Sequence, residues 1–539
     1  MRLNSLVPVL INLKIILKNL MKMIKQVAKG SLMAGLLSAL VPTVGQAADN
    51  NHPNIVYILA DDLGYGDISY LNENSKITTP HLDQIASQGM VFTNAHTSSS
   101  VCTPTRYGIL TGRYNWRSRL KKGVLGGYDK HLINTDRTTV ADVAKKAGYN
   151  TACIGKWHLG MDWPVKPGTP AEKTPKGYND YGVIDFKAKI KNGPNALGFD
   201  YYYGISASLD MPPYIYIEND KTEGVPTTIK AFHRKGLAHE DFEAIDVLPK
   251  IGEKSIEYIE KQSKKKPFFM YIPLSAPHTP ILPTKEWQGK SGINKYTDFV
   301  LMVDDVVGKI TEALKKKGFD KNTLFIFTSD NGCSPAARYH EILAKGHNPS
   351  YIFRGHKADI YEGGHRVPFI VRWPGTVAEG TACKQTICTT DLLATVAGIT
   401  DVKIDDATGE DSYNMMPLLK QEKLDGDFRE ATIHHSIRGS FAIRKGAWKL
   451  VMCPGSGGWS YPRPGRNDNV IALMPKIQLF NIEADPGEQM NISDKFPKIV
   501  EEMQNLLTSY IEKGRSTPGT PQQNYEGKNN WEQLWWMKN

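Results

Sequence analysis

Two short runs of oxygen donors and one cysteine stand out by type and by setting. Asp61-Asp62 closes the apolar run NIVYILA, and Asp330-Asn331 closes TLFIFTS. Three carboxylates and a carboxamide brought to one place make a hard, oxygen-rich site, suited to Ca²⁺ or Mg²⁺ and unlike a Zn²⁺ site. Asp and Asn at strand ends also serve as turn formers and helix caps. Two such pairs in one chain, each with a glycine close behind (Gly64, Gly332), favour the metal reading. Cys102 lies in SSSVCTPTRYGILTGRY. Pro104 at a first helical position puts Cys102 at or just before a helix N-terminus, where the dipole and free N–H groups favour an anion. Arg106 follows one turn on. On these residues alone a thiolate nucleophile and a buried capping cysteine both remain open.

Cations and imidazoles recur in compact blocks: Lys156 and His158 in GKWHLG, His278 in PLSAPHTP, and Lys357 in RGHKADIYEGG. The spacing of Lys156 and His158 places both on one face of an extended segment. Singly, each is an ordinary loop residue. Taken with Cys102 and the carboxylates, they form a set that can clamp a tetrahedral anion and move protons. Between these blocks, SASLDMPPYIYIEN carries Asp210, an acceptor for a ligand's hydroxyls, and AFHRKGLAHEDFE carries His233 and Arg234, which could meet a ring or an anion. GSGGWSYPRPG offers Trp459 and Tyr461 as stacking faces for a ligand ring.

The elements that must position these residues alternate short apolar strands with helical segments, an α/β pattern with a mostly parallel sheet. NIVYILA, YNTACIG, PFFMYIPLS, TLFIFTS and VPFIVRWP read as strands. TPHLDQIASQG, TVADVAKKAG, residues 243–262 and residues 297–317 read as helices, the first opened by Pro80 and followed by Gly89. After residue 425 the texture changes. SFAIRKGAWKLVM predicts a hairpin with a Lys-Gly turn, and residues 495–513 predict a closing amphipathic helix. The expected organisation is a catalytic domain over 50–424 and a small α+β domain over 425–539; the fold of 514–539 stays open.

Residues 1–47 have the basic stretch, apolar run and small-residue end of a secretory signal cleaved after Ala47, with residues 1–20 a possible mis-called start. The apolar run is shorter than the ~20 residues of a membrane span, so export to the periplasm or medium is expected, without a stable membrane anchor. This segment holds six basic residues and no acid, so its removal lowers the formal charge from +10 to +4. Such a balance gives no support for a nucleic-acid partner and suits an anionic substrate no better than a solvated lysine surface. The six cysteines lack CxxC or zinc-finger spacing. Cys383 and Cys388 are near enough in sequence to bridge, and Cys153 in TACIG reads as a small buried hydrophobe.

CTPTRYGILTGR matches a Cys-x-Pro-x-Arg…Thr-Gly-Arg signature, and the blocks around Asp61, Lys156, His278, Asp330 and Lys357 follow in order. Over residues 54 to about 490 the chain thus resembles the type I formylglycine-dependent sulfatases of the alkaline-phosphatase superfamily. In look it resembles the arylsulfatase A and N-acetylgalactosamine-6-sulfatase group. The resemblance implies a large mixed, mostly parallel sheet between helices with a smaller C-terminal antiparallel sheet and helix. It implies that a maturating, formylglycine-generating enzyme oxidises Cys102, and that Asp61, Asp62, Asp330 and Asn331 hold Ca²⁺ beside the Cys102-derived group. In the family scheme Arg106 and the metal stabilise a hydrated aldehyde, one hydroxyl attacks sulfur, and His158 deprotonates the other to expel sulfate. Lys156 and Lys357 clamp the sulfate oxygens and His278 protonates the leaving alcohol. The implied substrate is a sulfated carbohydrate, with position 6 of galactose or N-acetylgalactosamine ahead of position 4. The competing readings are a phosphodiesterase or phosphonate monoester hydrolase of the same superfamily, and a non-catalytic calcium-dependent glycan-binding protein. His356-Lys357-Ala358 departs from the more usual Gly-Lys and small residues, but EGGHRVP follows at the expected place.

Overall fold

All seven residues of β1 (Asn54–Ala60) are buried, and successive side chains enter different cores. Ile55, Tyr57 and Leu59 pack into one apolar cluster, while Val56, Ile58 and Ala60 pack into another. A strand covered on both faces must be apolar throughout, which is why NIVYILA does not alternate. The computed structural model describes Met21, residues 52–525 and residues 531–538. The expected leader over 1–47 therefore falls, Met21 apart, outside the described residues.

Among the described residues, ten strands make the principal sheet. In chain order they are β1, β2 (Met90–Phe92), β3 (Asn150–Lys156), β4 (Tyr201–Ile205), β5 (Ile217–Glu218), β6 (Lys221–Thr222), β7 (Phe268–Pro273), β8 (Thr323–Ser329), β9 (Phe369–Arg372) and β10 (Thr381–Cys383). Their order across the sheet is β10-β2-β9-β8-β1-β7-β3-β4-β5-β6. The central run from β8 to β4 is parallel, and β9 and β5 enter antiparallel on either side. The register pairs Ile55 with both Phe269 and Leu324, so β1, β7 and β8 end level with one another.

Helices cover both faces. α1 (Pro80–Ser87) starts at Pro80, whose missing N–H costs nothing at that position. α2 (Cys102–Thr111) ends at Gly112, left-handed at φ 61°. α3 (Val140–Lys146) opens on a Thr139–Asp142 capping box, and α4 (Val247–Lys261) follows a short turn at Ala244–Asp246. α5 (Lys295–Lys316) is capped by the Asn294 side chain, which accepts from Tyr296 N and Thr297 N. α1, α4 and α5 pack on the Val56 side; α2, α3 and α6 (Leu392–Thr400) pack on the Ile55 side.

β11 (Thr432–His435), β12 (Phe441–Lys445), β13 (Trp448–Val451) and β14 (Gln478–Asn481) form an antiparallel meander under α7 (Pro497–Glu512). Lys445 pairs with Trp448, so the turn residues are Gly446-Ala447 rather than Lys445-Gly446; Gly446 takes the positive φ of 55°. Residues 52–539 cluster as one compact unit. Trp531, Trp535 and Trp536, within the 514–539 segment, pack against this sheet, and Trp535 Nε1 donates to Met452 O at 3.1 Å. All six cysteines are free thiols, so Cys383 and Cys388 do not bridge: Cys383 lies in β10 of the main sheet and Cys388 in a separate two-stranded ladder with His96. Cys153 is fully buried in β3, as expected.

Candidate active site

Parallel strands whose carboxyl ends lie level deliver whatever follows them to one edge. β1 delivers Asp61 and Asp62, β8 delivers Asp330 and Asn331, β3 ends on Lys156 and leads to His158, and β7 leads to His278. α2 brings Cys102 in from the same side, and the 354–366 loop brings Lys357. Gly332 is required here: a Cβ would lie 1.8 Å from Gly363 O, so only glycine lets that loop approach. The catalytic and metal residues expected from the sequence are thus brought together.

Cys102 is the first residue of α2, with Val101 as its N-cap and Pro104 two residues further in, a small shift from the expected Pro104 start. It is 2% exposed. Its thiol lies 3.7 Å from Asp61 Oδ1 and 3.6 Å from Lys357 Nζ. Burial pushes the thiol up to about 12 despite the lowering influence of Lys156 and Lys357. Desolvation therefore outweighs both lysines and disfavours the thiolate of unmodified Cys102. The neighbouring serines serve the frame: Ser99 and Ser100 hydroxyls donate to His435 O at 3.0 and 3.3 Å.

The acidic residues are packed with cations. Lys156 Nζ lies 2.7 Å from Asp61 Oδ2 and Lys357 Nζ 2.6 Å from Asp62 Oδ1. Arg106 holds Asp330 Oδ2 through Nε and Nη2 at 3.1 and 2.7 Å, and donates from Nη1 to Lys156 O at 3.0 Å. Arg106 is therefore placed on the acid cage and not directly on the thiol. Burial alone would raise the Asp61 carboxyl, but Lys156, His278, Arg106 and Lys357 hold it well below the usual range. Burial raises the Asp330 carboxyl, and the Asp61 charge adds to that. Asn331 Nδ2 donates to Asp62 Oδ1 at 2.7 Å, while its buried Oδ1 has no hydrogen-bond partner. Three carboxylates and one orphaned amide oxygen fit a hard divalent cation, because the cation would satisfy the atom that the protein leaves bare. Asp61, Asp62, Cys102 and His278 also offer ligand atoms within 4.8 Å of one another.

The two histidines are fixed as to tautomer by their partners. His158 Nε2 donates to Leu125 O at 2.8 Å, leaving Nδ1 as the basic nitrogen, 3.4 Å from Ser208 Oγ. Burial first, then Lys156 and Arg106, keep this ring well below the ordinary histidine value, so it is neutral. His278 Nδ1 donates to Thr279 O at 2.5 Å, leaving Nε2 facing Asp62 Oδ2 at 3.6 Å. His158 has φ 58°, so the segment expected to be extended through Lys156 and His158 turns after the strand ends at Lys156. Asp62 (φ 68°) and Ala358 (φ 79°), also at the site, are left-handed as well.

A cavity of about 470 Å³ opens onto Cys102, with His158, Ser208, Asp210, His278 and Lys357 in its wall. Of the expected substrate residues, Asp210 and Arg234 form a salt bridge on it, and His233 reaches it from the tip of the Thr228–Phe232/Arg234–Ala238 hairpin. Asp210 is buried, and its Oδ1 has no hydrogen-bond partner. Trp459 borders the cavity; Tyr461 does not, being 73% exposed. Sequence reasoning misses Tyr178, which also lines the cavity. Its ring lies 4.6 Å under the Arg234 guanidinium, and nothing in the turn-like KGYNDYG sets it apart from surface tyrosines.

Comparison with known proteins agrees with this geometry. The sulfatase family profile matches residues 53–402. An N-acetylgalactosamine-6-O-sulfatase of Bacteroides thetaiotaomicron is 31% identical, over 92% of this chain and 99% of its own length. Human arylsulfatase A is 28% identical, over 84% of this chain and 87% of its own. A solved structure described under the metabolism of multiple glycosaminoglycans by Bacteroides thetaiotaomicron superposes with a TM-score of 0.74 at 30% identity, covering 85% of this chain and 99% of that one. With the family profile matched over more than half of its length, the chain belongs to the sulfatase family.

Proposed function

We propose that the chain hydrolyses sulfate esters at the ends of carbohydrate chains, with 6-O-sulfated galactose or N-acetylgalactosamine as first substrate and the 4-O-sulfated sugars second. The observation that carries this reading is that Cys102, set against the acid cage, lines the same cavity as the buried Asp210. An unpartnered buried carboxylate oxygen next to a site for a sulfate suits a ligand that carries hydroxyls close to its ester. The 31% identical relative, an N-acetylgalactosamine-6-O-sulfatase, supports the choice of sugar.

The resident groups that the family implies, Ca²⁺ and a formylglycine made from Cys102, supply a Lewis acid and an oxygen nucleophile at this point. Asp61, Asp62, Asp330 and Asn331 would hold the cation. Lys357, beside the thiol, and Lys156, on Asp61, present ammonium groups to the oxygens of a bound sulfate. His158 can take up a proton at Nδ1 next to Cys102. His278, when both its ring nitrogens carry protons, can deliver the one on Nε2 to the departing alkoxide, so that ester and water give alcohol and hydrogen sulfate in balance. Conversion of Cys102 by a maturating enzyme must precede closure of the fold, since the side chain is 2% exposed. Export to the periplasm or medium would bring the protein to polymeric substrates.

Two results are expected. Ion chromatography should detect free sulfate from 6-sulfated galactose-type sugars and little from 6-sulfated glucosamine; equal rates, or a preference for a phosphodiester, would remove this substrate assignment. Chelation should abolish turnover, with Ca²⁺ restoring it better than Mg²⁺. Asn331→Ala should weaken calcium binding to the chelated protein about 10- to 100-fold in calorimetry. Unchanged calcium affinity in that variant would exclude Asn331 from the cation's ligands.

A further inference from the structure

The mouth of the cavity carries a second cationic group outside the machinery just described. Ile437, Trp459 and Arg463 border the opening. Arg438 follows Ile437 directly, and its Nη2 donates to Pro464 O at 2.7 Å, which brings it onto the 463–466 turn. Arg466 completes that turn, anchored by Arg466 N to Arg463 O at 3.0 Å. Arg463 also lies 5.6 Å from the Trp459 ring centroid. Among the described residues, no carboxylate lies within salt-bridge distance of Arg438, Arg463 or Arg466. Arg338, also on the surface, is paired with Glu341 at 2.6 Å. The crowding is also felt electrostatically: partial burial, then the charges of Arg466 and Arg438, lower the Arg463 guanidinium below its ordinary value.

Three guanidinium groups near one another repel; Asp359 opposes this only at a distance and Asp468 is taken up by Gly465 N, so an anion bound among them relieves them. Guanidinium forks match carboxylates and sulfates in shape, and an indole face beside them suits a sugar ring. We propose that Arg438, Arg463 and Arg466, with Trp459, form an accessory subsite for an anionic group on the sugar next to the one being desulfated. The substrate class is then a sulfated sugar joined to an acidic neighbour, such as a hexuronate, rather than a neutral glycan. This inference rests on the carbohydrate sulfatase reading above.

The test compares matured full-length enzyme with an Arg438→Ala/Arg466→Ala variant, neither residue lying in the wall around Cys102. Three substrates are used: a small aryl sulfate, a 6-sulfated galactose-type monosaccharide, and that sugar linked to a hexuronate. The variant should lose about tenfold in kcat/KM on the acidic disaccharide, the worth of a charge-assisted contact. It should keep its rate on the other two. The wild-type preference for the disaccharide should shrink as NaCl is raised. Parallel losses on all substrates, or no loss on the disaccharide, would overturn the subsite. If the wild type releases no sulfate from either sugar, the carbohydrate reading fails separately. The subsite is then decided by calorimetry with the unsulfated hexuronate disaccharide, whose affinity must fall about tenfold in the variant if the subsite exists.

Discussion

Cys102→Ala protein, expressed with a maturating enzyme and assayed beside the wild type, is expected to lose sulfate release by about 10⁵- to 10⁶-fold, as when a hydrolase loses its nucleophile. The expected loss is large because the environment of Cys102 is built around what that side chain becomes. Its thiol is pushed up to about 12, so an unmodified cysteine offers almost no thiolate at neutral pH. Wild-type protein made without the maturating enzyme should therefore be as inactive as the alanine variant across the neutral range. Mass spectrometry of the peptide spanning Cys102 should show thiol in that preparation and aldehyde in the active one. The fold should survive the substitution, since alanine suits the first turn of α2 and the deletion is a single buried atom costing about 1 kcal/mol. Active protein with a purely thiol Cys102, or an alanine variant retaining a tenth of the rate, would rule out the aldehyde as the nucleophile's source.

The site is legible in the sequence because its residues follow strand ends, and strand ends can be read from apolar runs. Asp61, Lys156, His278 and Asp330 each stand within a few residues of such a run, and the parallel order of β8, β1, β7 and β3 does the rest. What cannot be read depends on loop geometry. The left-handed turn at His158 breaks the extended-segment argument, and a two-residue periodicity carries no information about it. Tyr178 and Arg463 join the cavity from irregular segments whose paths are set by tertiary contacts. The Cys383–Cys388 bridge fails for a related reason: closeness in sequence says nothing about which ladders two short strands will join. The same limit hides the role of EGGHRVP. In the sequence it only marks the position of Lys357, whereas in the fold its glutamate anchors the loop carrying that lysine.

Neutralising that glutamate should cost the protein far more stability than removing the Cys102 thiol. Glu362 is fully buried and receives Lys449 at 3.1 Å, Arg444 at 3.0 Å and Arg366 at 3.2 Å, with His96 and His365 at 3.9 and 3.8 Å. Burial alone would raise its carboxyl, but Lys449, His96, Arg444 and His365 hold it well below the usual range, so it is ionised. Arg444 and Lys449 come from β12 and β13, so Glu362 ties the Lys357 loop to the antiparallel sheet. Glu488 also pairs with Lys449, at 2.8 Å; burial and the Glu362 charge raise its carboxyl to about 7, so removing that charge lets Glu488 ionise more readily and offset part, but not all, of the loss. Glu362→Gln keeps the shape and removes the charge, leaving three cations in a dry interior with too little negative charge. The expected cost is about 3–5 kcal/mol, read from the shift of the denaturation midpoint at constant slope. If uncompensated charge is the cause, adding Lys449→Met should recover part of the loss, whereas a packing defect would make the double variant worse than either single one. A Glu362→Gln protein within about 1 kcal/mol of the wild type, with no coupling to Lys449, would mean that the network is dispensable and that the loop is held by its backbone contacts alone.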